Sequence, residues 1–216
     1  MRQRARSPED KERRAEDLLA AAEAVARDLG GIRHVTLLAV TERAGLHRTG
    51  VRRYYSSKEE LLLELAERGW GQWRDKVAAE VGDRTGLDAP AIAAVLSGTL
   101  AALPVFCDLL THVTLYLEGD VDIERARRYK THAFAAHDAI AAVLVRAGLM
   151  GQEQVTSLLA AAVLLAAGLW QASHPTATLA ALYEQEPRWY HDVRDFRPRL
   201  DALLAATAAG LAAPPR

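Results

Sequence analysis

An all-α protein is what the 216-residue sequence predicts, on three observations. Apolar residues recur at three- and four-residue spacing along nearly the whole chain. No six-residue stretch alternates apolar and polar side chains with β-branched enrichment, so no sheet is expected. Glycines, prolines and small capping residues cut the chain at intervals that suit globular helices.

The first helix is expected over about 8–29. Ser7 is its cap, Pro8 occupies the first helical position, and Glu9 and Asp10 face the positive helix end. Leu18, Leu19, Ala22, Val25, Ala26 and Leu29 then share one face, and Gly30-Gly31 ends it. A short helix starts at the Thr36 cap and stops at Gly45, with Val40 and Ala44 facing inward. Another short helix covers about 47–54. Ser57-Lys58-Glu59-Glu60 then opens a long helix, with Ser57 as cap and Glu60 three residues on, and this helix fades near Gly82. Beyond Gly86-Leu87-Asp88 the chain turns Ala/Leu-rich. Breaks at Pro104, Gly119-Asp120, Gly148 to Gly151 and Pro175 to Pro187 leave helices of about 90–103, 105–118, 121–147, 152–173 and 195–211, with a short turn near 177–185. Val155 to Ala172 carries no charge over a length that touches a membrane span. Thr156, Ser157, Gly168 and Gln171 interrupt it and alanine supplies much of its apolarity, so a buried helix with no membrane partner is expected.

Composition narrows the class. Half the residues are hydrophobic and a quarter charged, the balance of a soluble globular chain rather than a disordered one. One cysteine, Cys107, can form no internal disulfide and suits a reducing, cytoplasmic setting. The first fourteen residues carry six basic side chains and no apolar core, so no secretory leader is expected. Net charge is −1, yet residues 1–60 hold 13 Lys+Arg against 10 Asp+Glu while the rest hold 14 against 18. Any nucleic-acid contact is therefore expected at the front, where Arg2, Arg4 and Arg6 precede any acid.

The informative segment runs from Thr36 to Lys58. Two short helices joined at Ala44-Gly45-Leu46 have the size of a helix-turn-helix, with Gly45 supplying the left-handed turn residue. Val40, Leu46 and Val51 would lock the pair and leave the second helix free to enter a major groove. Its outward face carries Arg48, Thr49, Arg52 and Arg53. Arginine can grip phosphate or make a bidentate contact to guanine.

This segment, roughly residues 8–70, resembles the DNA-binding domain of the tetracycline-repressor (TetR) family of bacterial transcription regulators. The resemblance rests on Gly31, Thr36, Ala44-Gly45-Leu46 and above all Tyr54-Tyr55-Ser56-Ser57-Lys58-Glu59-Glu60-Leu61-Leu62. It implies that Lys58 grips phosphate, Tyr54 sits at the groove edge and Tyr55 packs into the small core. Arg48, Thr49 and Gly50 would open the recognition helix, and Thr36 would cap a helix whose end lies against phosphate. The chain departs from the family pattern at His47, where a small cap is usual, at Gly50 in place of Thr, and at Arg52 in place of Tyr. Leu37 and Leu38 stand where polar residues often reach DNA. These departures bear on which operator is read, with Arg53 the base reader. Gly50 is also expected to weaken its helix by about 1 kcal/mol relative to alanine.

In proteins resembling this one the remaining helices form a dimer and a ligand pocket. The resemblance therefore implies two domains, an arm and helix-turn-helix over 1–56 and a ligand-binding, dimerising body over 57–216. Helices of about 152–173 and 195–211 are the expected dimer seam. Phe106, His112, Tyr116, Tyr129, His132, Phe134, His137 and Trp170 are the candidate lining of a mostly apolar effector site. No metal or cofactor is expected. His132 and His137 are five apart, off one helical face, Cys107 and His112 share that spacing, and no His-Glu-x-x-His, Gly-x-Ser-x-Gly, phosphate loop or dinucleotide fingerprint occurs. The expectation is a regulator, not an enzyme: a repressor released from double-stranded operator DNA by a small molecule. The alternative is a ligand- or partner-binding helical dimer with a degenerate DNA-binding head, which Leu37, Leu38 and Gly50 favour.

Overall fold

Helix α1 spans Pro8–Asp28, with Glu9 and Asp10 in its first turn and Arg27 in its last, the arrangement its dipole favours. The computed structural model describes residues 8–47, 50–189 and 195–213; Ser7, the arm arginines Arg2, Arg4 and Arg6, and Arg48 and Thr49 lie outside them. Leu18, Leu19, Ala22, Val25 and Ala26 form the buried stripe, while Leu29, past the helix end, is exposed. A single 3₁₀ turn, Ile32–His34, leads to α2, Leu37–Arg43. Helix α1 packs on α2 and on α3, the long helix Lys58–Val81 that joins head to body.

The body is built on α3. Helix α4 (Ala89–Ala101) starts at Asp88, whose carboxylate accepts from the Ala91 N–H at 2.9 Å. Helix α5 (Pro104–His112) follows after a short break. Expected as one helix to about 118, it ends at His112 and continues as a π-helical turn, Val113–Leu117, that keeps Val113 and Leu117 buried and leaves Leu115 exposed. Helix α6 (Ile123–Ala147) runs along α3, and α7 (Gln152–Ser173) packs against α5, α6 and α9 (Phe196–Ala212). The segment read as a short turn is a two-turn helix, α8 (Ala177–Gln185), with no buried residue. Among the described residues there is no strand. One isolated bridge ties the α3–α4 link to the α6–α7 link, where the Leu149 N–H donates to Leu87 O at 2.9 Å.

The core lies where α3, α4 and α5 meet. Trp73 is fully buried and donates its indole N–H to Thr99 Oγ1 at 3.0 Å, which settles the polar atom that burial would otherwise leave unpaired. Trp70 and Phe106 pack edge to face beside it, with ring centroids 5.4 Å apart. Helix α7 is long and apolar enough to cross a membrane, with a mean hydropathy of 1.8 over 18 residues, but only 28% of that window is buried within the protomer. The buried helix expected from sequence is therefore half right: Val155, Leu158, Leu159, Ala162 and Ala166 face the core, and the opposite face is bare.

Candidate nucleic-acid interface and effector cavity

Local hydrogen bonds shape the head. Thr36 Oγ1 accepts from the Ala39 N–H at 3.1 Å, capping α2. At the other end the Leu46 N–H donates to Thr41 O at 2.9 Å and the Gly45 N–H to Glu42 O at 3.1 Å. That crossed pair is the Schellman motif, and it needs the φ of +64° that Gly45 adopts without strain. The sequence therefore closes α2 from both sides with small, local chemistry.

The recognition segment is tighter than the α-helix expected over 47–54. Its described part is a 3₁₀ turn, Val51–Arg53, held by i→i−3 bonds from Arg53 N–H to Gly50 O and from Tyr54 N–H to Val51 O, with one α-type bond from Tyr55 N–H to the same Val51 O at 3.0 Å. Three residues per turn send Val51 into the core and leave Arg52 and Arg53 outside. Gly50 N–H donates to His47 O at 2.6 Å, and a β-carbon on Gly50 would lie 2.9 Å from that oxygen. The sequence-based expectation that alanine would be the better residue there is thus reversed, because the turn leaves no room for the methyl group.

Tyr55 is buried beneath this turn and donates its hydroxyl to Glu64 at 3.2 Å. Burial, with the Glu64 charge added to it, pushes the phenol pKa well above its ordinary value. Ser57 Oγ accepts from the Glu60 N–H at 3.1 Å, and the Glu60 carboxylate turns back to Ser56 N–H at 2.6 Å, a capping box offset by one residue. Thr36, Leu38, His47, Arg52 and Arg53 are exposed; Leu37, Gly50, Tyr54 and Lys58 are half-buried. Charge pairing separates the arginines. Arg13, Arg14, Arg27 and Arg43 each hold a carboxylate. Among the described residues neither Arg52 nor Arg53 does, so their charge faces outward uncompensated.

The aromatic and histidine side chains of the body do not share one space. Tyr129, Phe134 and His137 line a pocket of about 190 Å³, open on one side, between α3, α5, α6, α7 and the π-helical turn. Sequence reading missed its other walls, Trp70, Leu110, Val113, Thr114 and Val163, because apolar residues on four helices carry no common pattern. Trp70 donates to the Tyr129 hydroxyl at 3.0 Å, and burial lifts the Tyr129 pKa to about 12, so the phenol stays neutral and its O–H remains a donor. The Lys130–Glu118 ion pair, at 2.7 Å, stands at the rim.

The others lie apart. Phe106 is a core ring that borders a separate cleft of about 240 Å³ beside α1. His112 and Tyr116 meet edge to face at 5.6 Å, beside Asp108. Trp170 stacks on His174 at 3.8 Å and meets Phe196 edge-on at 5.1 Å. His132 is exposed, 3.1 Å from Glu67. No group of three or more His, Cys, Asp or Glu side chains among the described residues is arranged to hold a metal ion.

An N-terminal helix-turn-helix on a long helix that leads into a helical body defines the fold of a transcriptional regulator. Solved structures share it. A TetR transcriptional regulator from Rhodococcus sp. RHA1 is 15% identical, covering 94% of this chain and 97% of its own, with a TM-score of 0.57. The fatty acid degradation regulator FadR from Bacillus halodurans is 14% identical over 93% of this chain and 99% of its own, TM-score 0.55. Thermus thermophilus FadR, a TetR-family transcriptional repressor in complex with lauroyl-CoA, is 18% identical over 94% and 97%, TM-score 0.53. No curated protein matches the chain. Residues 67–215 match the family described as tetracyclin repressor-like, C-terminal domain. The chain belongs to the TetR family of transcriptional regulators.

Proposed function

We propose that this TetR-family protein binds operator DNA sequence-specifically as a homodimer and represses transcription until a small molecule releases it. The observation that carries the reading is the pair Arg52 and Arg53, exposed and, among the described residues, without carboxylate partners on a tight turn whose inner residue, Val51, is buried in the head core. Uncompensated guanidinium groups on a rigid turn suit phosphate and guanine contacts. In this reading residues 1–56 are the DNA-binding domain and 57–216 the body. Thr36, His47, Arg48, Thr49, Gly50, Tyr54 and Lys58 complete the DNA face. The protein acts in the cytoplasm, by binding rather than catalysis.

The bare face of α7 supports the dimer. Ser157, Ala160, Leu164 and Gly168 fall on it at helical spacing, and Leu164 is 73% exposed in the protomer. Helix α9 packs alongside α7 and leaves Ala202, Ala206 and Gly210 exposed. Two such pairs would form a seam of small residues that admits close helix approach.

The cavity between α5, α6 and α7 is the effector site in this reading. Its volume is below the ~300–1,000 Å³ usual for small-molecule sites. The effector is therefore compact and largely apolar, with one group to meet the Tyr129 hydroxyl, or it opens the cavity as it enters. A long acyl group, such as that bound by the Thermus relative, would need that opening. A ligand that favours the opened body shifts the dimer away from the ~34 Å spacing of successive major grooves.

Selection of bound sequences from a random duplex library by the full-length protein tests the reading. Recovery of a palindromic site is the expected result. A library left unenriched by folded protein would overturn it in favour of a helical dimer with a degenerate DNA-binding head.

A further inference from the structure

Asp108 is a buried carboxylate that neither the recognition turn nor the cavity uses. It lies on α5, two residues before the cavity wall at Leu110. Its two oxygens are committed to different parts of the molecule. Oδ2 accepts from the Ile32 N–H at 2.7 Å, in the 3₁₀ turn between α1 and α2 of the head. Oδ1 accepts from Gln171 Nε2 at 2.8 Å, on α7, and faces His112 Nε2 at 3.6 Å. Burial alone would raise its pKa, but the bonds from His112, the Ile32 amide and Gln171 outweigh that and hold it below the usual carboxylate range.

The fit on the head side is close. Gly31 has a φ of +144°, and a β-carbon there would lie 3.3 Å from Asp108 Oδ2, so the turn reaches the carboxylate only with glycine in that place. The Ile32 N–H opens a 3₁₀ turn and has no partner within it, so the carboxylate supplies one. On the body side a second bond runs parallel, from Thr111 Oγ1 on α5 to Ala167 O on α7 at 2.9 Å. Helix α5 is thus tied to α7 at two points and to the head at one, and Asp108 belongs to both ties.

We propose that Asp108 is the positioning residue that carries the state of the α5–α7 contact to the DNA-binding head. The proposal rests on the reading that the cavity between α5, α6 and α7 takes the effector. A ligand that enters between Val113 and Val163 parts α5 from α7 and withdraws Gln171 from Oδ1. Freed from Gln171, the buried carboxylate turns toward His112, its other neighbour at Oδ1, and the hold of Oδ2 on Ile32 loosens. The element with two arrangements is a single side chain with both oxygens engaged in one state and not in the other.

Hydrogen exchange at the Ile32 amide, read residue by residue by NMR in the free full-length protein, is the test. Gln171→Ala removes the α7 tie without touching the head. It is expected to speed exchange at Ile32 about three- to ten-fold, with the amide of Leu204, in the buried face of α9, unchanged. Asp108→Asn is expected to do at least as much. Unchanged exchange at Ile32 in Gln171→Ala would overturn the proposal, and so would an equal acceleration at Leu204, which would mean general loosening. If Asp108→Asn does not fold, Gln171→Ala still decides. Because no DNA or effector is used, a failure of operator selection overturns the regulator reading and leaves this result intact. An unchanged Ile32 beside a selected operator overturns the Asp108 proposal alone.

Discussion

Two glycines on one turn of α3 should respond in opposite directions to the same substitution. Phe106 lies over Gly69, where a β-carbon would sit 2.3 Å from Cδ2, 2.8 Å from Cγ and 3.1 Å from Cβ of that residue. The ring is 3% exposed and packed against Trp70 and Trp73 with centroids 5.4 and 6.2 Å away, so swinging it aside toward the neighbouring cleft would break those ring contacts. Overfilling a core costs about 1–3 kcal/mol, and a clash that reaches the root carbon of a locked ring belongs at the upper end. Replacing a mid-helix glycine by alanine recovers about 1 kcal/mol of that. Gly69→Ala should therefore lose about 1–2 kcal/mol net. At Gly71 nothing lies within 4 Å of the added carbon, so Gly71→Ala should keep the helical gain of up to about 1 kcal/mol. For a chain of this length about 2–4 °C accompanies each kcal/mol, which sets the two variants roughly 4–12 °C apart. Thermal unfolding followed by circular dichroism, at one protomer concentration because association shifts the midpoint, measures the gap. A Gly69→Ala protein that melts at or above Gly71→Ala would refute the packing argument. Phe106→Leu placed in Gly69→Ala should recover part of the loss, a coupling that independent sites would not show.

Further outcomes follow from the same geometry. Arg53→Ala should relax preference at one base position by about 1–3 kcal/mol, whereas Lys58→Ala should weaken all sequences alike and reduce the salt slope by about one, both read from binding titrations at several salt concentrations. Leu164→Glu should leave the protomer folded, since the side chain is exposed there, but shift sedimentation from dimer to monomer; an intact dimer would place the seam elsewhere. The Cys107 thiol is buried, with its pKa pushed up to about 12. It should resist alkylation at pH 8 until the protein unfolds, and prompt native-state labelling would contradict that burial. Asp108 titrates below its unfolded value, so its stabilisation is fully present above the unfolded carboxylate range and is lost as pH falls through the depressed native pKa. In urea titrations across pH, Asp108→Asn should be less stable than wild type at neutral pH and lose less on acidification.

The resemblance read over roughly residues 8–70 and the family match over 67–215 meet from opposite ends of the chain. The head was legible because its chemistry is short-range: a cap, a glycine turn and a capping box each act within five residues. The recognition turn was not fully legible. Helical spacing over 47–54 fits an α-helix, yet the short bond from Gly50 to His47 tightens it. Val51 and Tyr55 are buried in the head core, which no local pattern reports.

The body divides the same way. Helix order and most ends followed from Asp88, Pro104, Gly148 and Pro175, because a cap stabilises a helix end and a break costs free energy whatever lies nearby. Which aromatic rings met did not follow. Phe106 and Phe134 both sit on helices of the body, yet one is a core ring over Gly69 and the other is 62% exposed at a cavity rim. Nothing along the chain marks Asp108, whose two oxygens meet Ile32, 76 residues earlier, and Gln171, 63 later, only in the fold. The sequence alone determined the helical class, the caps and the family signature, since these are set by neighbours along the chain. Only the tertiary structure decided the cavity, the buried ring contacts and the link between head and body, since each depends on groups that meet only when distant helices pack.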